Sequence, residues 1–146
     1  MRALIQRVKK ASVDIDGKRF SEIQEGLLVF LGVVKGDEKI NAEKLADKII
    51  NLRIFEDEQG KMNKSVLDVK GELLIVSQFT LCGDCKKGTR PSFDNSAPLD
   101  IARDLYEYFV QYTKNSSSLK IETGKFQAEM EVSLINDGPV TFYLEK

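Results

Sequence analysis

Polar and apolar residues alternate at both ends of the chain and recur at helical spacing between them. Arg2 to Val8 and Ala11 to Ile15 read as strand, with Asp16-Gly17 as a hairpin signal after them. Leu27 to Val34 is an apolar run dense enough for a strand buried on both faces. Asp37 can cap a helix in which Leu45, Ile49 and Leu52 share one face, while Asp47, Lys48 and Asn51 turn to solvent; the helix should end near Asn51. Leu73 to Val76 is a short apolar strand that opens into Ser77-Gln78-Phe79-Thr80-Leu81, and Cys82 to Asn95 then reads as loop. Pro98 suits the first turn of a second helix, whose stripe Ile101, Leu105, Tyr108 and Tyr112 runs until Asn115-Ser116-Ser117-Ser118 breaks it. Met130, Val132 and Leu134 alternate with Glu131 and Ser133; Val140, Phe142 and Leu144 alternate with Thr141, Tyr143 and Glu145. With Asn136-Asp137-Gly138 between them, these two runs read as a terminal hairpin.

Helices that do not alternate strictly with strands predict an α+β domain. Largely antiparallel β-sheets would form a barrel-like core with two amphipathic helices packed outside. No repeat or linker divides residues 1–146, so a single domain is expected. The Ile101 stripe reads as core packing.

Composition narrows the setting. With 146 residues the chain can bury roughly two-thirds of the surface its unfolded form exposes. No apolar run approaches a membrane span, no signal-peptide core follows Met1-Arg2, and a cytoplasmic protein is expected. A formal charge of −1 gives no general basic field, so contact with nucleic acid must be local and wrapping of DNA is not expected. The chain contains no histidine. That removes Ser-His and Cys-His relays and the commonest neutral-pH base. Cys82-Gly83-Asp84-Cys85 spells C-x-x-C, but two cysteines cannot complete a four-ligand zinc site, and the following Lys86-Lys87-Gly88-Thr89-Arg90-Pro91 reads as loop where a redox pair wants a helix. Two reduced thiols, with no metal and no cofactor, are the expectation.

Two stretches carry candidate chemistry. Where the strand ends at Ser77-Gln78-Phe79-Thr80, a turning backbone can aim consecutive N–H groups at an oxyanion, which needs no titrating side chain. Lys86, Lys87 and Arg90, a few residues on, are the densest place to hold a phosphate. At the other stretch, Asp137-Gly138 already supplies a turn signal, yet Pro139 adds a fixed φ and removes a backbone donor where the next strand would want one.

Ser77-Gln78-Phe79-Thr80-Leu81 together with Asn136-Asp137-Gly138-Pro139-Val140-Thr141 resemble the two signature motifs of the D-aminoacyl-tRNA deacylases. The opening MRALIQRVKKASVDIDG and the loop KKGTRPSF are similar to that family too, so the resemblance spans the chain. Asp137 occupies a slot that the family leaves variable, and the cysteine pair lies outside its pattern. The resemblance implies hydrolysis of the ester linking a D-amino acid, or wrongly attached glycine, to the terminal ribose of tRNA, by a homodimer without a cofactor. It implies that Gly138-Pro139 is a cis peptide inserted into the partner subunit's site, where its carbonyls face the substrate's α-amino group and exclude an L side chain. It places the developing oxyanion at the N–H groups around Gln78 and Phe79, lets Ser77 and Phe79 seat the terminal adenosine, and makes Arg7 an anchor for the Gly138-Pro139 segment beside Asn136. Lys86, Lys87 and Arg90 would meet tRNA phosphates. Thr80 could be a nucleophile, but no side chain evident in the sequence would activate it, and the ribose 2′-hydroxyl is the favoured group to orient water. Two other classes stay open on residues alone. A non-catalytic RNA-binding module would use Lys86, Lys87 and Arg90 without Gly138-Pro139, and a thiol oxidoreductase would need Cys82 and Cys85.

Overall fold

In the computed structural model, which describes residues 1–146, the organising element is one long strand, β1 (Arg2–Ile15). It pairs antiparallel with β2 (Lys18–Ile23) and β3 (Gly26–Gly32) along one side. After α1 (Lys39–Ile50) and a small hairpin of β4 (Phe55–Glu56) and β5 (Met62–Lys64), β6 (Glu72–Ser77) adds parallel to β3. A 3₁₀ turn (Phe79–Cys82) and α2 (Leu99–Ser116) follow, β7 (Ile121–Thr123) adds parallel to β6, and β8 (Glu131–Glu145) returns antiparallel along the other side of β1. The result is an α+β fold with a nearly closed, mixed sheet and two helices outside it. Parallel neighbours need a crossover, and the segments containing α1 and α2 provide the two crossovers.

The phase of β1 explains how one strand serves two apolar clusters. Ala3 and Ile5 join Leu27, Val29, Leu73 and Ile75 beneath the helices, whereas Val8, Ala11 and Val13 join Leu28, Leu74 and Val76 on the opposite face. Irregularities in the pairing with β8 between Gln6 and Lys10 supply the shift, because moving the register by one residue swaps the face of every side chain beyond it.

The terminal hairpin does not form. Residues 131–145 are one strand, and both of its halves pair with β1: Asn136 opposes Val8 and Thr141 opposes Gln6. The four residues 137–140 therefore face the single residue Arg7 in an enlarged bulge. Alternation on either side of a turn signal looks the same for a bulge as for a hairpin, and only the long partner strand distinguishes them.

Three further expectations are corrected. The α1 cap is Glu38, whose backbone N–H donates to Asn41 Oδ1 at 2.9 Å. Asp37 lies one residue outside and instead accepts from the Met1 ammonium and the Val34 N–H, each at 2.7 Å. Leu52 falls beyond the helix, which ends at Ile50 beside the expected Asn51; α2 ends at Ser116, inside the stretch expected to break it. The buried face of α2 is Leu105, Tyr106, Phe109 and Thr113; Ile101 is 45% exposed. Tyr108 and Tyr112 lie at the border of that face, where their hydroxyls reach Glu43 and Asp47 of α1.

Candidate active site

The site begins where β6 leaves the sheet. Leu73 to Val76 are buried, and Ser77, opposite Leu31, is the last paired residue. The Gln78 N–H still reaches back to the Leu31 carbonyl at 2.7 Å, so it is engaged within the sheet and cannot serve an oxyanion. The chain then turns into the 3₁₀ segment, where Leu81 donates to the Gln78 carbonyl and Gly83 to that of Thr80. The N–H groups of Phe79 and Thr80 lead this turn and have no acceptor in the chain. Two adjacent unengaged donors at the start of a turn suit a developing negative oxygen. The Gln78 side-chain amide donates to Thr80 Oγ1, which fixes that hydroxyl but leaves no base beside it.

Ser77, Gln78 and Phe79 form one wall of a cavity of about 570 Å³, mostly apolar, whose other walls include Tyr106 of α2 and Phe126 and Met130 ahead of β8. Tyr106 supports β6. Its hydroxyl donates to the Ile75 carbonyl at 2.8 Å, and Gly124 donates to the same carbonyl at 3.0 Å. Burial pushes the Tyr106 phenol well above its ordinary value, so it remains a neutral donor.

Beyond the turn, Asp84 and Ser92 exchange two backbone hydrogen bonds, at 2.7 and 3.0 Å, and so close the loop that carries Lys86, Lys87 and Arg90. All three cations are exposed, and none meets a carboxylate within ion-pair distance. At the loop's base the Phe93 ring lies 5.1 Å from that of Phe79 at an interplanar angle of 54°. Cys82 is buried, with its Sγ donating to the Val33 carbonyl at 3.3 Å, and burial pushes its thiol up; Cys85 is exposed. A protonated, buried Cys82 is a poor redox nucleophile.

The second motif is built around Arg7, which is only 7% exposed. Its Nη1 donates to the Ile54 carbonyl at 2.7 Å, and its Nε donates to the Asp137 carbonyl at 3.0 Å. Asn136 Nδ2 donates to the carbonyls of Arg7 and Val140, both at 3.1 Å, and so ties the two ends of the bulge to β1. Between them the Gly138-Pro139 peptide is cis.

Within one chain the two motifs stand apart. Ser77 is level with Leu31 and Ala3, whereas the bulge is level with Arg7, four residues or about 13 Å along the strand direction and three strands across. Neither Gly138 nor Pro139 lines the cavity. Tyr106, Phe93 and Phe126 join the site without a role that the sequence assigns them. Phe93 had a visible signal, an aromatic residue inside the polar loop that follows the strand exit, whereas Tyr106 and Phe126 read as ordinary core.

The sequence model of the D-Tyr-tRNA(Tyr) deacylase family matches residues 4–145. A D-aminoacyl-tRNA deacylase of Thermosipho africanus (strain TCF52B) is 63% identical over 145 residues, covering 99% of this chain and 97% of the relative. A D-aminoacyl-tRNA deacylase of Haemophilus influenzae (strain PittEE) is 56% identical over 144 residues, covering 99% of each. Among solved structures, one titled c-Myc DNA Unwinding Element Binding Protein superposes with a TM-score of 0.96 at 42% identity, over 100% of this chain and 99% of that one. A probable eukaryotic D-amino acid tRNA deacylase superposes at 0.83 over 99% of this chain and 98% of its own; at 14% identity it speaks to the fold alone.

Proposed function

Given that the chain belongs to the D-Tyr-tRNA(Tyr) deacylase family, we propose that it hydrolyses the ester of D-aminoacyl-tRNA, and of glycine misattached to tRNA, in the cytoplasm. The products are free amino acid and tRNA with its terminal ribose hydroxyl restored. No cofactor takes part. The observation that carries this reading is the pair of unengaged N–H groups on Phe79 and Thr80 beside a cavity, in a chain without histidine. An aminoacyl ester is an activated acyl group, so positioning and oxyanion stabilisation account for most of the lowering of its barrier.

Water adds to the ester carbonyl, forming a carbon–oxygen bond and a tetrahedral intermediate, which collapses by breaking the bond to the ribose 3′-oxygen; the departing oxygen takes the proton that the water gives up. The Phe79 and Thr80 N–H groups receive the oxyanion of the intermediate. Thr80 Oγ1 already accepts from the Gln78 amide and has no neighbouring base, which argues against it as a nucleophile. The ribose 2′-hydroxyl orients the water. Ser77 and the Phe79 backbone seat the terminal adenosine, and Lys86, Lys87 and Arg90 meet the phosphates behind it.

Selection by chirality falls to Gly138-Pro139. Because that corner and Ser77–Thr80 lie too far apart in one chain to hold one substrate centre, the reading requires a two-fold homodimer in which each corner serves the opposite site. An L side chain would then run into backbone, while hydrogen or a D side chain points away. The test is ester loss from matched D-, L- and glycyl-tRNA. Hydrolysis of the D and glycyl esters with sparing of the L ester is expected; no hydrolysis of any of them, or equal rates for D and L, overturns the reading.

A further inference from the structure

We infer that Phe93, with Phe79, forms a stacking platform for the unpaired nucleotide that precedes the terminal adenosine of the tRNA substrate. The inference rests on the deacylase reading above and extends it to a residue in the loop. Within one chain Phe79 is 60% exposed and Phe93 39% exposed although their rings are in contact. The loop geometry places the second ring there. Gly83 leaves room for it, since a Cβ at that position would stand 3.1 Å from the Phe93 ring and 3.0 Å from the Thr80 carbonyl. The Asp84–Ser92 pairing then fixes the residue just before Phe93, and Ser96 donates back to the Phe93 carbonyl at 2.9 Å.

The position relative to the cavity identifies the occupant. Phe79 lines the cavity and Phe93 packs on Phe79 without lining it, so the pair stands beside the cavity, where the nucleotide that precedes one seated inside would lie. The same loop carries Lys86, Lys87 and Arg90 without carboxylate partners. Exposed aromatics beside unpaired cations are the equipment for single-stranded nucleic acid, whose bases stack while its phosphates are neutralised. The end of tRNA is unpaired CCA, which makes a cytidine the base at this platform.

The test compares two esters of one D-amino acid, D-aminoacyl-tRNA and D-aminoacyl-adenosine, with wild type, Phe93→Leu and Phe93→Trp. Leucine keeps apolar contact with Phe79 but offers no ring. For Phe93→Leu, kcat/KM on the tRNA ester should fall about ten-fold through KM, the size of a lost base stack, with the adenosine ester unchanged and Phe93→Trp close to wild type on both. Equal loss on both esters would make Phe93 a support of the cavity alone. Dissociation of the variant's oligomer would make it an interface residue, and no loss on either ester would leave it without a role; each of these overturns the inference. Wild type inactive on both esters removes the deacylase reading itself, an outcome distinct from the other three.

Discussion

Arg7 grips Asp137 twice: its Nε donates to the Asp137 carbonyl at 3.0 Å and lies 3.1 Å from the Asp137 carboxylate. The third tie of the same guanidinium, to the Ile54 carbonyl, connects the β8 bulge to the segment leading into the β4–β5 hairpin. A lysine at position 7 keeps the charge but replaces a planar fork with a single point donor. Arg7→Lys should therefore lower stability by about 2 kcal/mol, the scale of one lost charge-assisted hydrogen bond in a buried setting. It should also reduce deacylation of D-aminoacyl-tRNA by more than ten-fold while the protein stays folded. Denaturant titration and ester hydrolysis on the same preparation check both; full activity would detach Arg7 from the site.

Gly138 has no room for a side chain. A Cβ there would stand 2.1 Å from Asn136 Oδ1 and 2.6 Å from the Val140 nitrogen. Asn136 cannot swing away without releasing the Arg7 and Val140 carbonyls, and the Val140 nitrogen is backbone. Gly138→Ala should cost about 1–3 kcal/mol, as overpacking does, and should displace the corner. The combined Asn136→Ser/Gly138→Ala variant should not recover activity, because the backbone clash persists. Recovery to wild-type rates would show that only the Asn136 side chain was in the way.

Thr80 and the ribose hydroxyl make opposite predictions. If the 2′-hydroxyl orients the water, Thr80→Val should stay within about ten-fold of wild type, short of the ~10²–10⁴-fold that loss of a group taking part in proton transfer costs. A D-aminoacyl-tRNA ending in 2′-deoxyadenosine should lose far more. A trapped acyl-enzyme, or loss confined to Thr80→Val, would restore Thr80 as the nucleophile.

The thiols give a prediction of the opposite kind. Cys82→Ser with Cys85→Ser should leave hydrolysis within a few-fold of wild type, with or without reductant, because neither sulfur lies in the proposed route. Stability should drop by about 1 kcal/mol, since a hydroxyl then replaces a fully buried sulfur. Activity that disappears in a folded double variant would return the loop to redox chemistry.

The strand exit at Ser77 was legible because an apolar run ending in hydroxyls and an amide is a local signal, and α1 was legible because its period is local too. The bulge at residues 137–140 was not, since its partner Arg7 lies 130 residues away along the chain. The burial of Tyr106 escaped for a related reason. Its phenol is acceptable in the core only because the Ile75 carbonyl on β6 accepts from it, and helical periodicity alone favoured the neighbouring Tyr108. Likewise, sequence could suggest consecutive N–H groups near Gln78. Only the pairing of β6 with β3 shows that the Gln78 donor is taken, leaving those of Phe79 and Thr80.

The separation of the two motifs within one chain leads to the last prediction, which tests whether the working site is shared between subunits. Phe79→Pro removes a donor that satisfies no acceptor in the fold, at the first position of the 3₁₀ turn, where proline is tolerated. It should abolish hydrolysis with little loss of structure, and Gly138→Ala disables the other motif. If each site joins Ser77–Thr80 of one chain to Gly138-Pro139 of the other, a heterodimer of these two inactive chains contains one doubly damaged site and one intact site. Purified heterodimer should then show about half the wild-type rate, although both parent homodimers are inactive. If each chain builds its own site, every site in the heterodimer carries one lesion and the mixture stays inactive. The measurement is D-aminoacyl-tRNA hydrolysis by the heterodimer, with size confirmed by light scattering. Recovery of activity establishes the crossed arrangement, and its absence in a stable heterodimer rules the arrangement out.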